Sequence, residues 1–200
     1  MAQKEQNSQM GSDDLKDFTE FTDLSGHFLL AMPGVDSGVF NGSVVYLFEH
    51  SPDGAAGVII NRATDVELSE LVERLELEVS DELKQQWIFF GGPVQAMRAF
   101  ILHPQLASEE GGKEILELND SRDVLQEYLQ GKWPEKNFIC FGYAGWDEGQ
   151  LEDELGQNVW LSIPADHELI FKHPVHDRYR AALAILGIEP SSLSSQVGHS

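Results

Sequence analysis

The sequence predicts a single domain of mixed α and β structure, in which hairpins and helices interleave with strands. Three observations predict it. Short apolar runs are bounded by Pro, Gly and Asn/Asp signals, as strands are. Between them lie segments whose apolar residues recur at helical spacing. No clean β-α-β alternation recurs, which argues against a doubly wound parallel sheet. At 200 residues, 42% hydrophobic and 10% aromatic, the chain can build one real core with a loose tail to spare.

Residues 1–23 are polar, acidic and barely periodic, and read as a flexible extension with a helical turn near Leu15 to Phe21. The domain proper is expected over residues 24–200. His27 to Ala31 reads as a buried strand stopped at Pro33-Gly34, and Ser43 to Glu49 and Ala56 to Asn61 read as two more. Between these two, His50-Ser51-Pro52-Asp53-Gly54 carries hairpin-turn chemistry: Pro presets φ and Asp-Gly supplies a positive-φ position. Thr64 and Glu67 have capping-box spacing, so a helix is expected from Thr64, with Leu68, Leu71, Val72 and Leu75 on its inner face.

Trp87 to Phe90 reads as a strand entering Gly91-Gly92-Pro93, and Arg98 to His103 as another, ended by Pro104. Ile115 to Leu118 reads as a further strand. Asp120 is placed to cap a helix through Gln130, with Val124, Leu125, Tyr128 and Leu129 on one face and Gly131 closing it. Phe138 to Tyr143 and Val159 to Ile163 read as strands around a short acidic helix over Gly149 to Leu155. His167 to Phe171 reads as one more strand. The last helix is expected over Asp177 to Leu186, with Gly187 past its end and Ile188 placed for a Schellman contact. A Ser-rich tail follows from Ser191. No period of the length that marks repeat proteins recurs.

Charge restricts the partners. Thirty-four acids against 13 Lys and Arg leave a formal net charge of −21. Such a chain repels phosphate backbones and anionic lipid at long range, and no local basic stripe offsets this. Direct nucleic-acid binding is therefore disfavoured, and no apolar run approaches a membrane span. The start lacks the basic region and apolar core of a signal peptide, so a cytoplasmic setting is expected. Cys140 is the lone cysteine, so neither an internal disulfide nor a multi-Cys metal site can form. It sits in an apolar run, where an inert buried thiol is expected.

No Walker loop, dinucleotide fingerprint, HExxH or GxSxG motif is present. His173, His176 and Asp177 group three possible metal ligands, but Pro174 breaks helical spacing, and a helix cap explains them. No metal or cofactor is expected. Glu49, His50 and Asp53 cluster at the hairpin tip, where a solvated turn competes with ligand contact by His50. Asn61 and Arg62 end a strand with polar handles that a core does not require. Gly91 and Gly92 permit either a tight turn or close approach of a ligand. Gly142 to Trp146 reads as a strand-to-helix junction, although the acids after it oppose an anion there. Gln150, Asn158 and Trp160 offer further polar or aromatic groups, with Asn158 ending the turn after the short helix. From Gln85 through Ser108 there is no acid, and Arg98 and His103 lie in that stretch.

Several blocks together resemble one family. They are His27 to Pro33, Phe40 through Arg62, Phe90-Gly91-Gly92-Pro93-Val94 with Arg98 and His103, and Gly142 to Trp146. Gly149 to Glu152, Asn158 to Leu161, Pro164 to Asp166, Leu186-Gly187-Ile188 with Pro190, and Gly198-His199 continue the series. In this order they are similar to the AlgH/YqgE family of bacterial proteins over about Leu24 to Ser200. Phe48 departs from a cysteine common there, and Ala63-Thr64 replaces a proline-containing step. The resemblance implies an α/β fold with a bent or bifurcated mixed sheet, folded toward a pseudo-barrel and flanked by helices. One branch of the family is linked to transcriptional regulation of alginate production, and the resemblance brings no catalytic residues with it.

The expected function is a non-enzymatic regulatory or binding role, exercised through a small molecule or a protein partner. The candidate ligand or partner site comprises His50, Asn61, Arg62, Gly91, Gly92, Arg98, His103, Trp146, Gln150 and Asn158. An enzyme would require at least two of His50, Asn61, Arg62, Arg98 and His103 to converge in one cleft.

Overall fold

The computed structural model describes residues 21–33, 38–75, 78–81, 83–84, 86–104, 116–132 and 136–188. The expected N-terminal extension, up to residue 20, and the Ser-rich tail lie outside the described residues. Nine strands form one mixed sheet: β1 His27–Ala31, β2 Val44–Ser51, β3 Gly54–Ile59, β4 Ala63–Glu67, β5 Trp87–Phe90, β6 Val94–Pro104, β7 Leu116–Asn119, β8 Phe138–Asp147 and β9 Trp160–Pro164. Helices α1 Leu68–Leu75, α2 Arg122–Leu129, α3 Gln150–Gly156, α4 His167–Phe171 and α5 Arg178–Ile185 flank it.

The sheet path runs β4-β5-β8-β3-β2-β1-β9, and β6 and β7 branch from β8. Strand β8 is the spine. Its first half pairs parallel with β5 (Phe89 opposite Cys140) and antiparallel with β6 (Ile101 opposite Ile139). Its second half pairs with β3, Gly57 opposite Ala144. The changeover falls at Gly142, whose φ of +67° suits glycine. A Cβ there would come within 2.3 Å of Gly92 O. This fork is the bifurcation expected above. The path stays open with β4 and β9 at its ends, so the sheet does not close into a barrel.

Strand alternation sorts the apolar side chains into three layers. Phe28, Leu30, Val44 and Tyr46 join Phe100, Leu102, Phe138 and Cys140 between the two arms of the fork, covered by α4 and α5. Leu29, Ala31, Val45 and Leu47 point the other way, against Trp146, Trp160 and Leu151 of α3. Ile88, Ile101 and Ile139 meet α1 and α2 through Leu68, Val72, Tyr128 and Leu129. The Tyr46 hydroxyl accepts the Leu116 backbone N–H at 3.1 Å, tying the branch back to the first arm. Arg178 is buried at the start of α5. It donates through Nε to His173 O at 3.1 Å and through a terminal nitrogen to Ile60 O.

Several local expectations are corrected. Residues 63–67 form strand β4, and α1 begins only at Leu68. Thr64 Oγ1 donates to Ile88 O at 2.8 Å, so pairing with β5 overrides the capping-box signal. Ser121, not Asp120, caps α2, accepting from Val124 N–H at 3.2 Å. His167 to Phe171 is a helix, because Asp166 Oδ1 caps Glu168 N–H at 2.9 Å. Gly142 to Trp146 lies within β8 rather than at a strand-to-helix junction. The Schellman ending of α5 is present: Gly187 N–H donates to Ala184 O at 3.0 Å and Ile188 N–H to Leu183 O at 3.1 Å. Among the described residues, no helix is long and apolar enough to cross a membrane.

Candidate functional site

Helix α3 gathers His50, Trp146, Gln150 and Asn158 around it. His50 ends the buried part of β2, and only 2% of its side chain is exposed. Its Nδ1 accepts the Leu24 backbone N–H at 3.0 Å, which leaves the ring proton on Nε2, 2.9 Å from Glu152 Oε1. Trp146 and Trp160 both donate their indole N–H to Glu154 Oε2, at 2.9 and 2.6 Å. Gln150 Nε2 donates to the other carboxylate oxygen at 2.8 Å, and its Oε1 accepts Asp147 N–H at 3.1 Å. Asn158 holds a φ of +56° and ends α3 with its own Schellman pair, Asn158 N–H to Leu155 O and Val159 N–H to Glu154 O.

The remaining candidates sit elsewhere. Asn61 is a loop clamp: its Oδ1 accepts Val44 N–H at 2.9 Å and its Nδ2 donates to Gly42 O at 2.9 Å. Arg62 donates to Asn41 O at 2.7 Å. Gly91 and Gly92 are approached by the backbone of β8, since an added Cβ would meet Gly142 O or Tyr143 C at 2.2 Å. Arg98 pairs with Asp120 at 2.5 Å, and its guanidinium lies 5.8 Å from the Phe100 ring centroid. His103 is buried, with Nδ1 2.9 Å from Pro104 O and Nε2 3.3 Å from Glu117 Oε1.

These positions do not form one cleft. Asn61 binds Val44 at one end of β2 and His50 stands at the other, ~20 Å away at ~3.3 Å per residue. Arg98 and His103, five residues apart on β6, pair with different acids, Asp120 and Glu117. Among the described residues, no cluster of three or more His, Cys, Asp or Glu side chains could hold a metal ion. His176 and Asp177 make only a surface pair at 3.4 Å.

A trough of about 400 Å³ lies over β2, β3 and β8. Register builds it. Glu49, Ala56 and Gly145 stand side by side across three strands, and Ser51, Gly54 and Asp147 form the next row. Side chains of period two place all six on one face, while Ala55 and Trp146 point to the opposite layer. Small residues in the middle leave the floor low. Glu49 and Ser51 form one wall, and Tyr143, Val94 and Asp147 the other, with Asp53 at the turn. Among the described residues, no basic side chain lines it. Of these residues, sequence reading marked Glu49 and Asp53 at the hairpin tip. Tyr143 and Gly145 were visible only as part of the Gly142 to Trp146 block. That β3 lies between β2 and β8 is a long-range fact, and no local signal carries it.

The family model described as AlgH-like matches residues 28–191. A UPF0301 protein of Bordetella avium is 45% identical over 186 residues, covering 92% of this chain and 94% of that protein. One from Ralstonia nicotianae is 43% identical over 180 residues, covering 88% and 95%. The solution structure of the AlgH protein from Pseudomonas aeruginosa matches with a TM-score of 0.73 and 42% identity, covering 90% of this chain and 97% of that one. The crystal structure of protein DIP2367 from Corynebacterium diphtheriae shares the fold at a TM-score of 0.59 and 19% identity, covering 88% and 92%.

Proposed function

The chain belongs to the AlgH-like family, and from that premise we propose that it acts by non-covalent binding, as a regulatory protein of the cytoplasm that receives a positively charged group of a protein partner in the β2-β3-β8 trough. The observation that carries this reading is the trough itself: three carboxylates, Glu49, Asp53 and Asp147, an aromatic wall at Tyr143, and, among the described residues, no basic side chain in the lining. A Lys or Arg side chain is long enough to lie along the Gly54, Ala56 and Gly145 floor with its stem against Tyr143 and its charge between the acids. Each exposed charge pair contributes only ~0–1 kcal/mol, so the binding is weak per contact and salt-dependent. A net charge of −21 favours such partners from a distance and opposes nucleic acid. Asn61 and Arg62 are taken up clamping residues 41–44, while His50, Arg98 and His103 pair with Glu152, Asp120 and Glu117, and this distribution does not favour a catalytic reading.

An NMR titration of the full chain with a Lys/Arg-rich peptide and an acidic control tests the reading. Saturable, salt-sensitive shifts at Tyr143, Gly145 and Asp147 are expected with the basic peptide only. Gly145→Val fills the floor at a position whose added Cβ meets only ordinary contacts, 3.6 Å from Tyr143 and Val94, and abolishes them. Absence of saturable shifts in the trough at low salt overturns the reading.

A further inference from the structure

His50 is bonded in a way that only its neutral form can satisfy. The Leu24 N–H points at Nδ1 from 3.0 Å, and Nε2 faces Glu152 Oε1 at 2.9 Å. A second proton would have to enter at Nδ1, and would set two N–H donors against each other at hydrogen-bond distance. The Glu152 contact would be kept, because Nε2 remains a donor. The two sides of the ring therefore respond differently to acid: the α3 side holds and the Leu24 side does not.

What hangs on the Leu24 side is the segment leading into β1. Phe21 lies 4.8 Å from the His50 ring, centroid to centroid. The Leu24 carbonyl accepts from His27 N–H at 3.0 Å, and Gly26 N–H donates to Leu47 O at 2.8 Å. The chain is thus pinned to the sheet at Gly26 independently of His50. Upstream of that pin, among the described residues, the segment meets the sheet through the Leu24 N–H and the Phe21 ring on His50 and through the Leu24 side chain, which packs at the edge of the second apolar layer.

We infer that His50 is an acid-released latch: protonation at Nδ1 frees residues 21–24 from the β2 hairpin and removes one wall of the adjoining groove, while the sheet and α3 stay in place. That groove, about 450 Å³, is lined by Phe21, Leu24, Pro52 and Leu155 together with His50 and the acids Glu148 and Glu152. The charged groups around the ring fit this direction. Glu152 and Glu148 approach from α3 and its entry, Glu49 and Asp53 belong to the same hairpin, and His27 follows the pin. Of these, Glu152 and Glu148 stabilise positive charge on the ring whether or not Leu24 is bound; Glu49 stands on the opposite face of the sheet and His27 contributes no negative charge. Asp23 alone moves with the segment, and its carboxylate already accepts the Ser25 N–H at 2.8 Å. The latched state binds one proton fewer than the released state, so acid favours release. The inference stands apart from the trough, since no residue on the Leu24 side of the latch lines it.

Amide hydrogen exchange of the full chain, followed by NMR from pH 7.5 to 5.5 and corrected for intrinsic rates, tests the latch. Because release takes up one proton, Leu24 protection falls severalfold as the pH is lowered over this range. Gly26 protection stays constant. His50→Asn presents an amide oxygen where Nδ1 stood and does not titrate, so its Leu24 protection is flat. Constant Leu24 protection in the natural sequence, or a parallel fall at Gly26 or in His50→Asn, overturns the proposal. Imidazole ¹⁵N shifts of the unmodified chain decide independently of any variant. They must report the Nε2–H tautomer at pH 7.5 and a protonation of His50 that coincides with loss of Leu24 protection. A protonated ring with Leu24 still protected also overturns it.

Discussion

Trp160 donates its indole N–H to Glu154 Oε2 at 2.6 Å, and Trp146 donates to that same oxygen at 2.9 Å. The rings stand edge to face at 5.8 Å, with Phe40 packed on both. One carboxylate on α3 therefore fastens the helix to β8 and β9 from the side that covers the second apolar layer.

Glu154→Ala removes the shared acceptor and strands two largely buried indole donors. At ~1–3 kcal/mol for each donor left unsatisfied, a loss of roughly 2–6 kcal/mol is expected, measured by urea unfolding. Tryptophan emission of the folded variant shifts to the red as water reaches the indoles. Glu154→Gln keeps one carbonyl oxygen for them and shows the smaller loss.

Two glycines of β8 give opposite outcomes. Gly142 sits at positive φ with Gly92 O 2.3 Å and Val94 O 2.7 Å from any added Cβ. Gly142→Ala is expected to cost more than ~3 kcal/mol, because backbone strain and overlap at the fork cannot be relieved by a side chain moving. Gly145→Ala meets only ordinary contacts and stays within ~0.5 kcal/mol of the natural sequence. Urea midpoints of the two variants check the contrast.

Burial pushes the Cys140 thiol well above the usual thiol range, and its Sγ lies 3.8 Å from Gly142 O. At neutral pH almost no thiolate forms in the folded protein. A thiol reagent is therefore expected to label Cys140 only as fast as the core opens, so the labelling rate rises with urea in step with unfolding. Labelling at the rate of an exposed thiol in native buffer would contradict this placement.

Local readings succeeded where the determinant was local. The β2–β3 hairpin follows from Pro52-Asp53-Gly54, the end of α5 from Gly187 and Ile188, and the turn after α3 from Asn158. Each needs only a few neighbouring residues to set its backbone. They failed where a distant strand competed for the same groups. Thr64 looked like a cap and became a rung of β4, because Ile88 O offered its hydroxyl a partner that the helix start did not. Gly91 and Gly92 allowed either a tight turn or close approach by a ligand, and the backbone of β8 is what approaches them.

The candidate site divides along the same line. His50, Trp146 and Gln150 were recognisable as polar or aromatic groups beside apolar runs, yet nothing near them in sequence names Glu152 or Glu154 as their partners. His50 and Glu152 are 102 positions apart. By itself the sequence determined the family, the order and kind of most elements, and the net acidity, since these are carried by composition and short-range pattern. The fork at β8, the trough across three strands and the single neutral form of His50 were decided only by tertiary structure. They exist because strand register sets residues far apart in the chain side by side, where hydrogen bonds and sterics, rather than local preference, settle what each side chain does.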